Sequence, residues 1–296
     1  MTDTPLDPAH QRQSNAIAEP LADLPIVGDA ERRDVLVTST PDGAVTVTLN
    51  RPEKKNAFDA DLISALRETF TTLQAQDDVR VVFIRGAGGT FCAGGDIEWM
   101  RRSGTLTESQ NRADAYELAR MLKALHDIPA LTVAIVEGPA MGGGAGLVAA
   151  CDQAVAVVGA RFAFSEVKLG LTPAAISPYV IEAVGARNAR ALFMTAEVLD
   201  AEAAMDVGLV TWLLDSAADI EPYMASTVRR LRPCAPGAIG DAKRLVNDIA
   251  GRAIDESVMR ETAARIAARR AGVEGREGLS AFLDKRAPSW AEPAAE

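Results

Sequence analysis

The sequence predicts an α/β fold, and three patterns carry that prediction. Short apolar runs rich in β-branched residues, typical of buried strands, alternate along the chain with segments of helical periodicity. Two of these runs are each followed at once by a glycine-rich turn and a helical segment. A strand-strand-helix order recurs, and no dinucleotide-binding glycine fingerprint follows the first strand.

The first predicted element is a β-hairpin. Residues 35–38 and 44–49 alternate in polarity on either side of Pro41-Asp42-Gly43, which is a turn signal. Asp59 then provides an N-cap for a helix whose apolar residues recur every three or four positions, at Leu62, Leu66, Phe70 and Leu73.

The two glycine turns are the most informative segments for function. Residues 79–84 form a predicted strand before the turn at 90–96, and residues 131–136 form one before the turn at 138–146. Later strands are predicted at 153–158 and 209–214. A helix start leaves backbone N–H groups unpaired, and glycine lets a ligand approach them closely. Two such turns are therefore suited to hold one oxygen that gains negative charge during a reaction.

Composition narrows the possible partners. The chain has 296 residues and a formal net charge of −10, which argues against nucleic acid because phosphate binding needs a basic surface. No apolar run is long enough to cross a membrane. Its three cysteines show neither disulfide nor metal-ligand spacing, so we expect no metal and a reducing, cytoplasmic setting. Residues 1–33 lack a signal or transit pattern and read as a disordered tail or an added subunit contact.

The motifs together resemble the enoyl-CoA hydratase/isomerase (crotonase) superfamily. The resemblance covers about residues 35–290 and includes Asn50-Arg-Pro-Glu-Lys-Lys-Asn-Ala-Phe58, both glycine turns, and a terminal Ala281-Phe-Leu-Asp-Lys-Arg286. It implies a spiral of repeated ββα units over residues 34–219 and a helical region over 220–296 that packs between subunits. A homotrimer or a dimer of trimers is expected. Coenzyme A would be part of the substrate, with no separate cofactor.

The resemblance also implies roles for individual residues. The backbone N–H groups of Ala93 and Gly143 are expected to form the oxyanion hole, with Gly94 and Gly95 providing a close approach. Binding of the coenzyme A thioester is expected to involve Lys54, Lys55, Ala57, Asp96 and Ile97, and, from a neighbouring helix, Phe282 and Lys285. The lysine pair also suits a solvated turn, and an amphipathic helix end also explains Phe282 and Lys285.

The acid/base residues depart from the best-known hydratases, which carry two glutamates. Here the second position is Glu166 and the first is Gly146. An apolar setting among phenylalanines is expected to raise the pKa of Glu166. Glu166 could instead cap a neighbouring amide. Gly146 is expected to leave room for a branched acyl group. Cys92 has no histidine in a nucleophile-base pattern, so we interpret it as a packed residue.

The leading functional prediction is a hydratase acting on 3-methylglutaconyl-CoA or a related branched enoyl-CoA, because the segment around Glu166 resembles hydratases of leucine breakdown. The distal carboxylate of such a substrate would favour a cation in the acyl pocket, for which Lys168 and Arg161 are candidates. Two alternatives stay open. One is a double-bond isomerase that uses Glu166 alone, and the other is an acyl-CoA-binding protein without catalysis.

Overall fold

The computed structural model describes residues 34–291, and the predicted tail at 1–33 lies outside this range. Nine strands lie within it: β1 (Val35–Ser39), β2 (Ala44–Leu49), β3 (Val81–Gly86), β4 (Leu131–Val136), β5 (Pro139–Met141), β6 (Gln153–Val157), β7 (Arg161–Ala163), β8 (Leu199–Asp200) and β9 (Trp212–Leu214). They form a six-stranded sheet in the order β1-β2-β3-β4-β6-β9 and a three-stranded sheet in the order β5-β7-β8.

Ten α-helices are also described: α1 (Ala60–Gln74), α2 (Ile97–Ser103), α3 (Glu108–His126), α4 (Gly143–Ala149), α5 (Ser177–Thr195), α6 (Ala201–Asp206), α7 (Ile220–Leu231), α8 (Pro236–Ile249), α9 (Glu256–Ala271) and α10 (Val273–Leu283). None of the helices described is both long and apolar enough to cross a membrane. From Ile220 onward the described chain is helical, as predicted.

The large sheet confirms the predicted hairpin and most of the predicted strands. β1 and β2 pair antiparallel, and the strands from β2 to β9 in this sheet pair in parallel. β3 begins at Val81, two residues later than predicted, and β9 covers only the last three residues of its predicted run. Asp59 caps α1 as predicted, accepting a hydrogen bond from the Leu62 N–H at 3.0 Å.

The small sheet arises because the chain adds a short strand after two of the large-sheet strands. β4 is followed by β5 and then α4, and β6 is followed by β7 and then α5. Earlier in the chain, the segments after β2 and β3 pair in a similar way through single parallel bridges. One joins Phe58 to Gly95, and the other joins Cys92 to Ala140. This repetition produces the predicted spiral of ββα units. The short strands escape pattern analysis because three residues give too little periodicity.

The large sheet is covered on both faces. One face carries the main core, which includes Phe58, Phe70 and Phe162 and the buried stripe of α1. The other face, including Val81, Phe83 and Val133, packs against Ile220 and the inner side of α7. A sheet buried on both sides explains why β3 and β4 are nearly continuous apolar runs.

The C-terminal end of the described chain lies at the edge of the large sheet where β3 and β4 begin. Arg80, just before β3, donates a hydrogen bond from Nη2 to the Trp290 carbonyl oxygen at 2.6 Å. The Trp290 ring packs on α10, since a β-carbon on Gly278 would lie 3.1 Å from its Cη2 atom. The glycine turns follow the opposite ends of these six-residue strands, about 20 Å away.

Candidate active site

The two glycine turns meet because β3 and β4 are neighbouring parallel strands, whose carboxyl ends lie at one edge of the sheet. Backbone hydrogen bonds then join the turns directly. The Phe91 and Cys92 N–H groups both donate to the Pro139 carbonyl at 3.1 Å, and the Met141 N–H donates to the Cys92 carbonyl at 2.9 Å. The turns therefore form one continuous backbone framework.

Small residues allow this close contact. A β-carbon on Gly144 would lie 2.6 Å from the Cys92 carbonyl oxygen, and one on Gly138 would lie 2.1 Å from the Gly89 carbonyl oxygen. One on Gly94 would lie 3.0 Å from the Met141 carbonyl oxygen. Side chains at these positions would separate the two turns.

The second turn supplies an N–H group with the properties expected of an oxyanion donor. Gly143 is the first residue of α4, so its N–H has no carbonyl partner within the helix. Phe58 covers the Gly143 α-carbon, because a β-carbon there would lie 3.0 Å from its Cδ2 atom. Gly143 is partly buried, and the aromatic ring on one side lowers the local dielectric constant, which strengthens the attraction of this amide for an anion.

The first turn differs from the prediction. The Ala93 N–H donates to the Lys55 carbonyl at 3.0 Å, so this amide is already paired. Gly95 has no such partner for its N–H among the residues described. The Gly94 carbonyl accepts from the Phe58 N–H and the Asp96 N–H donates to the Phe58 carbonyl. In this extended pattern the Gly95 N–H points away from Phe58, toward the side on which the second turn lies.

Glu166 reaches the site through the small sheet. The Gly142 N–H donates to the Ala163 carbonyl at 2.8 Å, which holds the end of β7 beside the second turn. Glu166 follows three residues later at the start of a 3₁₀ turn, and its Oε1 would lie 3.3 Å from a β-carbon on Gly142. The predicted carboxylate therefore lies next to the residue that precedes the Gly143 amide.

The environment of Glu166 favours a bound proton. Burial raises the pKa of this carboxyl above its usual range, and a hydrogen bond from its own backbone N–H only partly opposes the effect. Its Oε2 atom is buried without a hydrogen-bond partner in residues 34–291. Such a carboxyl group is suited to exchange protons with a bound molecule.

Gly146 does not open the predicted volume for an acyl branch. The residue is buried, and a β-carbon on it would lie 2.2 Å from Cγ2 of Ile176. Ile176, which is 2% exposed, precedes α5 and fills the space. The structure therefore corrects the prediction: Gly146 allows α5 to pack closely on α4, and it does not line a substrate pocket.

The loop predicted to bind coenzyme A adjoins the first turn. Lys54 Nζ lies 3.3 Å from Oδ2 of Asp96, and Ala57 is buried with its carbonyl accepting a hydrogen bond from Arg51 at 3.1 Å. Lys55 contributes its carbonyl to Ala93 and has a left-handed backbone, with φ at 52°. Ile97 is 70% exposed at the start of α2. The structure thus brings these residues together beside the glycine turns.

Asp96 also organises the start of α2. Its Oδ1 accepts hydrogen bonds from the N–H groups of Glu98 at 2.9 Å and Trp99 at 3.1 Å. Burial would raise the pKa of Asp96, but these bonds and Lys54 hold it below its usual range. Asp96 is therefore a charged helix cap and has no proton to supply for catalysis.

Asn56 joins this loop to the first turn through hydrogen bonds, a role that the sequence analysis did not predict. It is fully buried, its Oδ1 accepts from the Arg51 N–H at 2.8 Å, and its Nδ2 donates to the carbonyls of Ala87 and Thr90. Its φ of 56° is one that asparagine adopts more readily than most residues. A polar residue directly after two lysines gives no periodic signal of burial.

Several predicted residues lie elsewhere in the chain. Phe282, which is 81% exposed, and Lys285 lie at or beyond the end of α10, whose packing on Trp290 places it near the amino ends of β3 and β4. They do not meet the glycine turns of their own chain. Arg161 is exposed and donates hydrogen bonds to the carbonyls of Gly159 and Ala160. Lys168 is also exposed.

Cys92 is not suited to act as a nucleophile. Its side chain is fully buried, and burial raises the pKa of its thiol to about 12. The reactive thiolate is therefore scarce at neutral pH. The residue packs against Gly144, as expected for a structural cysteine.

Comparison with known proteins agrees with this geometry. The family model described as enoyl-CoA hydratase/isomerase matches residues 39–293. The chain is 34% identical to Pseudomonas aeruginosa AtuE, with a TM-score of 0.83 and coverage of 88% of this chain and 100% of the other. An enoyl-CoA hydratase from Shewanella pealeana is 36% identical, with a TM-score of 0.81 over 87% of this chain and 96% of the other. The human mitochondrial methylglutaconyl-CoA hydratase is 28% identical over 259 residues, covering 84% and 74% of the two chains.

Proposed function

Because the chain belongs to the enoyl-CoA hydratase/isomerase family, we propose that it adds water to the double bond of an α,β-unsaturated acyl-CoA thioester. One observation carries this proposal. The partly buried Glu166 carboxyl lies against the turn that presents the Gly143 N–H, which has no partner within residues 34–291. A proton-exchanging group and an anion-stabilising group are therefore adjacent, as conjugate addition to a thioester requires.

The oxyanion donors in this proposal are the N–H groups of Gly95 and Gly143. Gly95 replaces the predicted Ala93, whose N–H is paired with Lys55. Both donors belong to turns joined by backbone hydrogen bonds, so their separation is fixed before the substrate binds. Loss of one donor of this kind typically lowers the rate about 100- to 1000-fold.

The reaction needs one carboxylate. Glu166 takes a proton from water while the water oxygen bonds to Cβ of the substrate, and the double-bond electrons move onto the thioester oxygen. The Gly95 and Gly143 amides stabilise that negative charge. As the enolate collapses, Glu166 returns the proton to Cα, so the net change is addition of one water molecule. No cofactor is required beyond the coenzyme A that the substrate carries.

We propose 3-methylglutaconyl-CoA, or a related branched enoyl-CoA, as the substrate. The resemblance to human methylglutaconyl-CoA hydratase over 84% of this chain supports this choice. In the same proposal, the coenzyme A nucleotide binds the loop with Lys54, Lys55 and Ala57, next to Asp96 and Ile97.

We further propose a subunit assembly and a cellular location for the protein. Phe282 and Lys285 would cover coenzyme A from a neighbouring subunit of a homotrimer or dimer of trimers, because in their own chain they lie far from the turns. Free thiols at Cys92, Cys151 and Cys234 support a reducing, cytoplasmic setting.

The test follows the absorbance of the conjugated enoyl thioester. Purified protein is given 3-methylglutaconyl-CoA, crotonyl-CoA and a 3-enoyl-CoA in parallel. We expect rapid loss of the signal with 3-methylglutaconyl-CoA and no loss with Glu166→Gln. Unchanged signal with both conjugated substrates would reject the hydratase.

An isomerase is the second candidate, and the glycine at position 146 favours it, because Glu166 alone can move a proton between two carbons of one chain. It predicts a gain of conjugated signal with the 3-enoyl-CoA only. A binding protein without catalysis would leave the absorbance of all three thioesters unchanged. Its wild-type form and its Glu166→Gln variant would bind acyl-CoA equally well.

A further inference from the structure

Trp99 lies over the first glycine turn, in the first turn of α2. The Asp96 cap fixes its backbone by accepting its N–H at 3.1 Å. A β-carbon on Gly95 would lie 3.6 Å from Cε3 of the indole ring and 3.2 Å from Cγ of Met100, so both side chains lie against the residue that we assign as an oxyanion donor. The inference that follows rests on the proposed function and concerns the substrate of the same site.

The indole nitrogen of Trp99 is buried without a hydrogen-bond partner in the part of the chain that the structure describes. Buried polar atoms in native proteins are nearly always satisfied, and an unpaired donor costs stability. The ring carbons pack against the main core, so hydrophobic contact alone would be served equally well by phenylalanine. The N–H therefore calls for a separate explanation.

The missing partner has to be an acceptor, because an indole nitrogen can only donate. Glu166, beside the second turn, is the complementary case, because its buried Oε2 is an acceptor without a partner among the described residues. Trp99 contacts Gly95 of the first turn and Glu166 contacts Gly142 of the second, so a ligand bound between the joined turns can supply a partner to both side chains. Glu166 would meet the reacting carbons, which leaves the Trp99 N–H for another part of the ligand.

We propose that Trp99 Nε1 donates a hydrogen bond to a carboxylate on the acyl chain, beyond Cβ, so that the enzyme selects enoyl-CoA thioesters of dicarboxylic acids. A hydrocarbon acyl chain would leave the donor buried and unpaired, whereas a carboxylate oxygen satisfies it with a charge-assisted bond. The predicted cations do not compete for this role, because Arg161 and Lys168 are exposed.

The test measures binding, so that it does not depend on turnover. Calorimetry compares 3-methylglutaryl-CoA with isovaleryl-CoA, which are saturated thioesters that differ only by the carboxylate. Wild-type protein is expected to bind 3-methylglutaryl-CoA more tightly, and Trp99→Phe is expected to reduce that preference about tenfold or more. The control is Trp212→Phe, since Trp212 is exposed on β9, and it should keep the wild-type preference.

A second variant protects the test against misfolding. Benzothienylalanine at position 99 keeps the ring volume but replaces the N–H by sulfur, and it should lose the same preference as Trp99→Phe. Equal weakening of both thioesters would overturn the proposal, because the N–H would then serve the shared coenzyme A part, a bound water or packing. The absence of any preference in wild-type protein would overturn it too.

Failure of the proposed function would look different. If wild-type protein hydrates no enoyl-CoA but shows the carboxylate preference, and Trp99→Phe removes it, the hydratase assignment fails and the binding role of Trp99 stands. If wild-type protein hydrates crotonyl-CoA but Trp99→Phe keeps the wild-type preference for the carboxylate, only the role of Trp99 fails.

Discussion

Ile176 occupies the space where a side chain at position 146 would begin. A β-carbon on Gly146 would lie 2.2 Å from its Cγ2 and 2.6 Å from its Cβ, and both residues are buried. A second glutamate at position 146 would therefore require α5 to move away from α4.

The two residues are expected to be energetically coupled. Gly146→Ala should destabilise the protein by about 1–3 kcal/mol through overpacking. Ile176→Gly, at the N-cap of α5 where glycine is tolerated, should cost about 2–5 kcal/mol through the cavity it leaves. In the double variant the alanine enters that cavity, so the total loss should be smaller than the sum. Urea denaturation measures all three, and simple additivity would contradict the contact.

The Gly143 N–H can be removed while the helix is kept. Gly143→Pro should lower kcat about 100- to 1000-fold, because proline lacks the N–H yet suits the first position of a helix. Gly143→Ala is the matched control, since it keeps the N–H while adding a β-carbon near Phe58. Steady-state kinetics with crotonyl-CoA measure kcat of both variants, and thermal denaturation shows whether they remain folded. Equal losses in both variants would attribute the effect to crowding of Phe58.

The raised pKa of Glu166 predicts a shift in the pH dependence of activity. Hydration needs the carboxylate form at the start, so kcat/KM should rise as pH increases through the raised pKa. The acidic limb should therefore lie above the usual range of a glutamate. Stopped-flow absorbance between pH 4 and 8 measures it. A limb within the ordinary glutamate range would contradict the effect of burial.

The same shift predicts how stability depends on pH. Because the folded protein binds the proton more tightly than the unfolded chain, wild-type stability includes a contribution at low pH that is lost as pH rises through the folded pKa. Glu166→Gln has no such titration. The variant should therefore gain stability relative to wild type as pH increases from 4 to 8, in denaturation curves measured at each pH. A stability difference between the variant and wild type that stays constant with pH would contradict the raised pKa of Glu166.

Removal of the Cys92 thiol should leave catalysis in place. Cys92→Ala is expected to retain kcat within about threefold and to remain folded, because a thiol with a pKa of about 12 supplies little thiolate at neutral pH. Alkylation of native protein with iodoacetamide should likewise spare Cys92, with the exposed Cys234 as the positive control. A folded variant without activity would point to thiol chemistry.

The sequence was informative where burial is periodic. The stripe of α1, the hairpin and the parallel strands each bury alternate or helically spaced residues, and each is found close to its predicted place. The position of Glu166 next to the second turn could not be read from such patterns. It depends on β5 pairing with β7, which are strands of three residues each.

Details of the turns were harder to predict because they depend on which backbone atoms are already paired. Ala93 and Gly95 are both small residues in one turn, and only the hydrogen bond to Lys55 distinguishes them. The space beside Gly146 likewise depends on Ile176, thirty positions along the chain. Partners so distant in sequence leave no local signal at either residue.

The framework that joins the turns consists of backbone atoms, from the Pro139 carbonyl to the Cys92 carbonyl. An alanine scan of this chain would therefore detect Glu166 but pass over the oxyanion donors, since alanine keeps every N–H group. Any loss of activity in a glycine-to-alanine variant of the turns would be caused by crowding from the added methyl group. Side-chain mutagenesis alone would thus assign the catalysis to one acid and overlook the electrostatic half of the site.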